Sequence, residues 1–192
     1  MDSCAPVASA AHTIDDENAL REQMCRLWHT AFGDERDFIM HYLTAMSHTG
    51  NRILRFSPDG TLIAMMHFHK FTLCENSPTN EPLQGDEVSV RLSPMPAGMA
   101  GKQGAYIYGV ATAPEWRGRG IAGAMIAEAV EKMRRSGAGI AMLIAEEPSL
   151  RRWYASMGFS LAEGITAAVA APDGTNLALD DTRLNLPLVM PL

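Results

Sequence analysis

Apolar and polar positions alternate along the chain with periods that change from segment to segment. Leu20, Met24, Leu27, Trp28, Ala31 and Phe32 recur at helical spacing. They predict an amphipathic helix, with a cap at Thr13-Ile14-Asp15-Asp16 and a stop at Gly33. Asp34 is placed to cap a second helix, in which Phe38, Ile39, Tyr42, Leu43 and Met46 share a face. Asn51 to Ser57, the turn Pro58-Asp59-Gly60 and Thr61 to Leu73 then read as a β-hairpin. From Cys74 to Gln103 the chain is rich in Pro, Gly, Ser and Asn. It predicts a long excursion holding at most a short strand at Val88–Leu92.

Gly104 to Thr112 reads as a strand and Gly120 to Ser136 as the clearest helix. Ile121, Met125, Ile126, Ala129, Val130 and Met133 form the apolar face of that helix, opposite Glu128, Glu131, Lys132, Arg134 and Arg135. Ile140 to Ala145 is a short apolar run of the kind that forms a buried strand. Leu150, Trp153, Tyr154 and Met157 mark a short helix closed by Gly158. Phe159 to Ala171, the turn Asp173-Gly174 and Asn176 to Val189 predict a closing hairpin. A strand–helix–strand centre between antiparallel flanks implies an α/β fold, a mixed sheet with helices on both faces.

Composition narrows the class. The chain has 192 residues, 47% of them hydrophobic and 20% charged, which excludes a disordered protein. A weakly patterned segment over 1–14 precedes what reads as a single domain over 15–192, with the 74–103 excursion inside it. The net charge of −6, from 16 basic and 22 acidic residues, argues against nucleic-acid or membrane-surface binding. No apolar run approaches the roughly 18 residues of a membrane span. Met1 to Ala11 lacks the basic and leucine-like regions of a signal peptide. Three cysteines without a C-x-x-C pair fit a reducing compartment, hence a cytoplasmic location.

The chemistry concentrates between Val110 and Gly123, where a strand ends, a Pro-containing loop follows and a helix opens on Arg117-Gly-Arg-Gly120. First-turn N–H groups lack intrahelical acceptors and sit at the positive end of the helix dipole. Gly118 and Gly120 let a ligand approach the backbone, and Arg117 and Arg119 add donors suited to phosphate. An ordinary loop with two solvated arginines has the same local pattern. A Walker A loop is excluded because no Gly-Lys-[Ser/Thr] follows. Gly118, Gly120 and Gly123 match G-x-G-x-x-G, but the acidic residue required about 20 positions on is absent.

Arg117-x-x-Gly120-x-Ala122 resembles the acetyl-CoA loop, R/Q-x-x-G-x-G/A, of the GCN5-related N-acetyltransferases (GNAT). Tyr154-Ala-Ser-Met-Gly-Phe159 is similar to the Y-x-x-x-G-F block of the same family. Leu27-Trp28-His29-Thr30-Ala31-Phe32-Gly33-Asp34 resembles the first-helix ending of some bacterial members. The resemblance spans roughly residues 15 to 160. It implies the GNAT-type fold, a mixed, mostly antiparallel, splayed sheet with helices on both faces. It also implies acetyl-CoA as cosubstrate and direct acetyl transfer to an amine acceptor of unknown identity.

By the same resemblance, Val110, Ala111 and Thr112 would offer backbone groups to the pantetheine arm, in the manner of an added strand. Gly118, Arg119, Gly120, Ile121, Ala122 and Gly123 would wrap the pyrophosphate, with Arg117 opening the loop. The Val110 N–H would hold the developing oxyanion, and Tyr154 would protonate the leaving thiolate. Tyr154 also reads as a packed helix aromatic, since Trp153 and Met157 are core-like neighbours. The chain departs from the family at Glu147, where many members carry a pantetheine-binding Asn. The family also allows a homodimer, and a non-catalytic CoA-binding module of the same fold is the alternative.

The incoming ammonium must lose a proton before it attacks. Glu115, Glu146, Glu147, Asp34 and Glu35 are the candidate bases, and the sequence does not choose among them. His67 and His69 alternate on one strand with Met65, but no third ligand stands at suggestive spacing, so no metal is expected. They read as partly buried strand histidines or as part of an acceptor pocket. Cys74 has no evident partner for nucleophilic chemistry.

Overall fold

A computed structural model describes residues 14–73, 87–178 and 185–192. Its elements are α1 (Ile14–Phe32), α2 (Arg36–Met46), β1 (Arg52–Phe56), β2 (Leu62–Thr72), β3 (Ser89–Ser93), β4 (Gln103–Thr112), α3 (Ile121–Arg135), β5 (Ile140–Ile144), α4 (Pro148–Ala155), β6 (Ser160–Leu161), β7 (Thr166–Ala170) and β8 (Pro187–Pro191). A 3-10 turn, Pro114–Trp116, links β4 to α3. The architecture is a mixed, mostly antiparallel sheet flanked by helices. The described residues divide into two compact units, 14–66 with 109–125 and 67–73 with 87–108, 126–178 and 185–192.

In the first unit the strand order is β1-β2-β4. Its core is built from the predicted helix faces: Leu20, Met24, Leu27 and Trp28 of α1, and Ile39, Tyr42, Leu43 and Met46 of α2, are all buried. Gly33 ends α1 at φ +80°, its N–H donating to the His29 carbonyl at 2.9 Å. The N-cap of α2 is Glu35, without a side-chain hydrogen bond, so Asp34 does not cap it. The Asp34 carboxylate is already taken, accepting the Trp28 indole N–H at 2.7 Å. The Thr13 cap predicted for α1 lies outside the described residues. Arg52 at the start of β1 donates both guanidinium nitrogens to the Glu17 carboxylate, at 2.6 and 2.8 Å.

In the second unit the order is β2-β4-β5-β8-β6, with β3 and β7 forming a separate antiparallel pair. The β4–β5 ladder is parallel and pairs Gly104–Tyr106 with Ile140–Met142. The closing hairpin predicted over 159–189 forms in part. Its arms pair antiparallel where β6 meets β8 and again at Ala170–Asn176, and the Ala167 N–H donates to the Asn185 carbonyl at 2.8 Å, but both arms also take other partners. β8 pairs with β5 over Ile140–Ile144 and with β6, while β7 pairs with β3. β5 is buried through Ile140–Leu143, and a strand apolar on both faces needs a ladder on both edges. It takes β4 on one side and β8 on the other. β7, with Ala167 and Val169 inward, matches the Val90 and Leu92 face of β3. The Asp173-Gly174 turn does form, with Gly174 at φ +88°, and leads to a single bridge between Ala170 and Asn176.

Candidate functional site

β4 is longer than the stretch of β2 it pairs with, and its positive-φ glycine marks the bulge. The Leu73 N–H donates to Lys102 and the Ala113 N–H donates to Ile63, at 3.0 and 2.8 Å. Between these two pairs β2 advances ten residues (63 to 73) while the β4 chain advances eleven (102 to 113). At least one residue is therefore extra on the β4 side, and Gly109 is the residue of that strand with positive φ, +60°. A Gly in the left-handed region leading a bulge is the expected geometry, and it leaves one residue outside the ladder. Val110 follows the bulge. Past Tyr106, the last residue paired with β5, β4 runs on through Val110, Ala111 and Thr112. The Thr112 hydroxyl is buried without a hydrogen-bond partner among the described residues.

The loop after β4 is braced by its own arginines. Arg117 Nε donates to the Thr112 carbonyl at 3.0 Å. Arg119 donates to the Glu115 carbonyl at 3.0 Å, with its guanidinium 4.7 Å above the Trp116 ring. Both arginines are exposed, and each guanidinium has further N–H groups to offer. Gly118 and Gly120 stand at φ +73° and +76°, and a Cβ at either would meet nothing within 4 Å. These glycines serve backbone direction and open space rather than tight packing. The first helical bond of α3 runs from the Ala124 N–H to the Gly120 carbonyl at 3.0 Å. The N–H groups of Ile121, Ala122 and Gly123 are thus left without helical acceptors. Successive backbone N–H groups in alternating conformations at a helix start form a concave anion site.

Tyr154 belongs to the second unit. It is buried on α4, edge-on to Trp153 (4.9 Å) and Phe159 (5.8 Å). Burial pushes its phenol up to about 12, so it is protonated at neutral pH. Trp153 itself is partly exposed, not core-like as its spacing suggested. Glu115, Glu146, Glu147 and Glu35 are exposed. Glu147 precedes α4 as its N-cap, with no side-chain hydrogen bond there.

His67 and His69 are fully, not partly, buried, with parallel rings 6.4 Å apart. Among the described residues no three His, Cys, Asp or Glu side chains are grouped to hold a metal. Cys74 lies outside the described residues. Cys25 is buried, which pushes its thiol up. No described helix is long and apolar enough to cross a membrane.

Val110 to Gly123 thus lie on one continuous stretch of the first unit, and Tyr154 lies in the second. The reading by motif missed Gly109 and the Thr112 hydroxyl. A glycine inside the apolar run Tyr106-Ile-Tyr-Gly-Val110 is a sequence signal for a bulge.

Residues 98–162 match the family described as Acetyltransferase (GNAT) domain. No curated protein matches the sequence. Among solved structures, a GNAT family N-acetyltransferase (YhbS) from Escherichia coli in complex with CoA aligns at TM-score 0.54 and 15% identity, over 100% of this chain and 85% of that one. Naa20 from Chaetomium thermophilum, in complex with a bisubstrate analogue, aligns at 0.54 and 17%, over 92% and 83%. A GCN5-related N-acetyltransferase from Kribbella flavida aligns at 0.51 and 20% over 76% of this chain, which spans only 32% of that protein. At these identities the structural likeness speaks to fold. The domain match covers every candidate residue from Val110 to Tyr154, so residues 98–162 are similar to an acetyltransferase (GNAT) domain, on a chain whose fold is that of these N-acetyltransferase structures.

Proposed function

We propose that the protein is an acetyl-CoA-dependent N-acetyltransferase that passes the acetyl group directly to an amine. The observation that carries this reading is the stretch from the Gly109 bulge to the first turn of α3, where backbone donors are set out along one segment. Its unbonded first-turn N–H groups, its two left-handed glycines and its two arginines suit a pyrophosphate. The partnerless Thr112 hydroxyl suits a polar group of the pantetheine arm.

Acetyl-CoA supplies the acetyl group already activated as a thioester. The residues of the chain then have separable tasks. Gly118 to Gly123, opened by Arg117, bind the diphosphate. Val110, Ala111 and Thr112 align the pantetheine. The Val110 N–H donates to the carbonyl oxygen as negative charge develops on it. The family resemblance gives Tyr154, protonated because it is buried, the role of donor to the departing thiolate. At about 12 its phenol is a weaker acid than a thiol, near 8.5, so it stabilises the thiolate chiefly as a hydrogen-bond donor. The amine approaches as the free base, and positioning of two bound substrates supplies much of the acceleration. Three cysteines without a C-x-x-C pair support a cytoplasmic setting.

The test is a thermal-shift series with acetyl-CoA, CoA, NAD and ATP, followed by thiol release with a panel of small amines, polyamines and peptide amines. Stabilisation by acetyl-CoA and CoA, with amine-dependent thiol release, is expected. Stabilisation without release across the panel would make the chain a CoA-binding module. Stabilisation by NAD or ATP alone would overturn the reading of the loop.

A further inference from the structure

A side chain from elsewhere in the same unit stands directly against Gly109. A Cβ built on Gly109 would lie 2.8 Å from Cζ3 and 3.0 Å from Cη2 of Trp28, so the benzo edge of the indole occupies the place a side chain would take. Trp28 is almost fully buried. Its ring stands 5.0 Å from Tyr42 and edge-on to Phe32 at 5.7 Å. Its position is also fixed at the far end, where the indole N–H donates to Asp34 Oδ2 at 2.7 Å. Asp34 in turn is tied to α1, its backbone carbonyl 2.9 Å from His29 Nδ1. The chain of contacts therefore runs from the α1–α2 turn, through one rigid bicyclic ring, to the residue whose φ of +60° sets the direction of the next amide.

We propose that Trp28, anchored by Asp34, is a positioning residue that props the β4 bulge and so aims the Val110 N–H. The inference rests on the reading of Val110 as the oxyanion donor. A ring wedged against a glycine limits which way the backbone can relax. The bulged backbone, with an amide outside the ladder, is the part of the strand least fixed by its own hydrogen bonds. An acidic hydrogen-bond partner keeps the wedge from rotating. Asp34, a candidate base by sequence, is on this account occupied with orienting Trp28.

Three variants test this on the whole chain: Trp28→Phe, which removes the benzo edge and the indole N–H; Asp34→Ala, which frees the ring without altering it; and Asp34→Asn, whose amide oxygen can still accept the indole N–H. Backbone amide and Cα NMR shifts of Gly109 and Val110 report the bulge without substrate. Acetyl-CoA affinity and kcat report the site. Trp28→Phe and Asp34→Ala are expected to move the Gly109 and Val110 shifts and to lower kcat about ten- to hundredfold, short of the full loss of an oxyanion donor. The Kd for acetyl-CoA should stay within about twofold, because the diphosphate loop is untouched. Asp34→Asn should preserve both shifts and kcat. Unchanged shifts in Asp34→Ala, whose core is intact, would overturn the prop. Moved shifts with unchanged kcat would leave the prop standing and overturn Val110 as the oxyanion donor.

Discussion

Replacing Gly120 tests the anion loop more sharply than any other single change. Gly120 sits at φ +76°, and a Cβ on it would meet nothing within 4 Å, so two effects can be separated. Any L-residue there bears the left-handed backbone penalty, about 1–2 kcal/mol. With no steric clash to add, Gly120→Ala and Gly120→Glu should both lower Tm in the absence of ligand by about 2–8 °C for a chain of this size. Binding should differ. Alanine adds only bulk where a diphosphate approaches. Glutamate adds a charge, and two like unit charges about 4 Å apart repel by roughly 4 kcal/mol at an effective dielectric near 20, or about a thousandfold in Kd. At acetyl-CoA a hundredfold above the wild-type Kd, ligand stabilisation is about 2.7 kcal/mol, worth about 5–11 °C. Differential scanning fluorimetry with and without acetyl-CoA should show this shift in the wild type, a reduced one in Gly120→Ala and none in Gly120→Glu. A full shift in Gly120→Glu would refute the assignment of the loop to the diphosphate.

Three further outcomes follow from particular residues. Tyr154→Phe should lower kcat by about a hundredfold with little change in acetyl-CoA Kd; steady-state kinetics beside calorimetry would show it, and an unchanged kcat would leave Tyr154 as packing. The same phenol predicts alkaline lability. Burial raises its folded-state value to about 12, against about 10 unfolded. The unfolded chain therefore loses its proton first, and stability falls as pH rises from 10 to 12, by about 2.7 kcal/mol for this group. Tyr106, also pushed up by its burial, adds to the fall. Urea melts across this range should show Tyr154→Phe losing less than the wild type. Gly104→Ala should cost about 3 kcal/mol, because its Cβ would meet the Phe71 ring and lie 2.9 Å from the Ile140 carbonyl oxygen; a melt lowered by less than a few degrees would contradict the packing described there.

Local pattern predicted the helices and the central strands well, because their signals lie within single segments. The α3 stripe of Met125, Ile126, Ala129, Val130 and Met133 is buried as its 3.6-residue period requires. The Gly33 stop and the Pro58-Asp59-Gly60 turn are decided by residues next to each other. The errors arose where a distant partner decides. Apolar alternation in 159–189 identifies two antiparallel arms but not their outer partners: β8 also pairs with β5, which needs a ladder on its second edge, and β7 pairs with β3. Asp34 has the chemistry of a helix cap, yet the Trp28 indole six residues earlier claims it. At the candidate site, the glycines and arginines of the loop were legible because a motif is local. The bulge at Gly109 appears only when hydrogen bonds on two strands are counted together, and the wedge behind it only when α1 is folded against β4.

The central claim is that this chain moves an acetyl group from acetyl-CoA to an amine in one step. The most direct measurement incubates the protein with acetyl-CoA labelled with carbon-13 in the acetyl group and a panel of amines, and follows both the amines and the intact protein by mass spectrometry. The account predicts label on an acceptor amine in step with CoA release, with no label accumulating on the protein when the amine is left out. Labelled protein that then passes its acetyl group to the amine would contradict direct transfer, and CoA release with no labelled amine would contradict the activity itself.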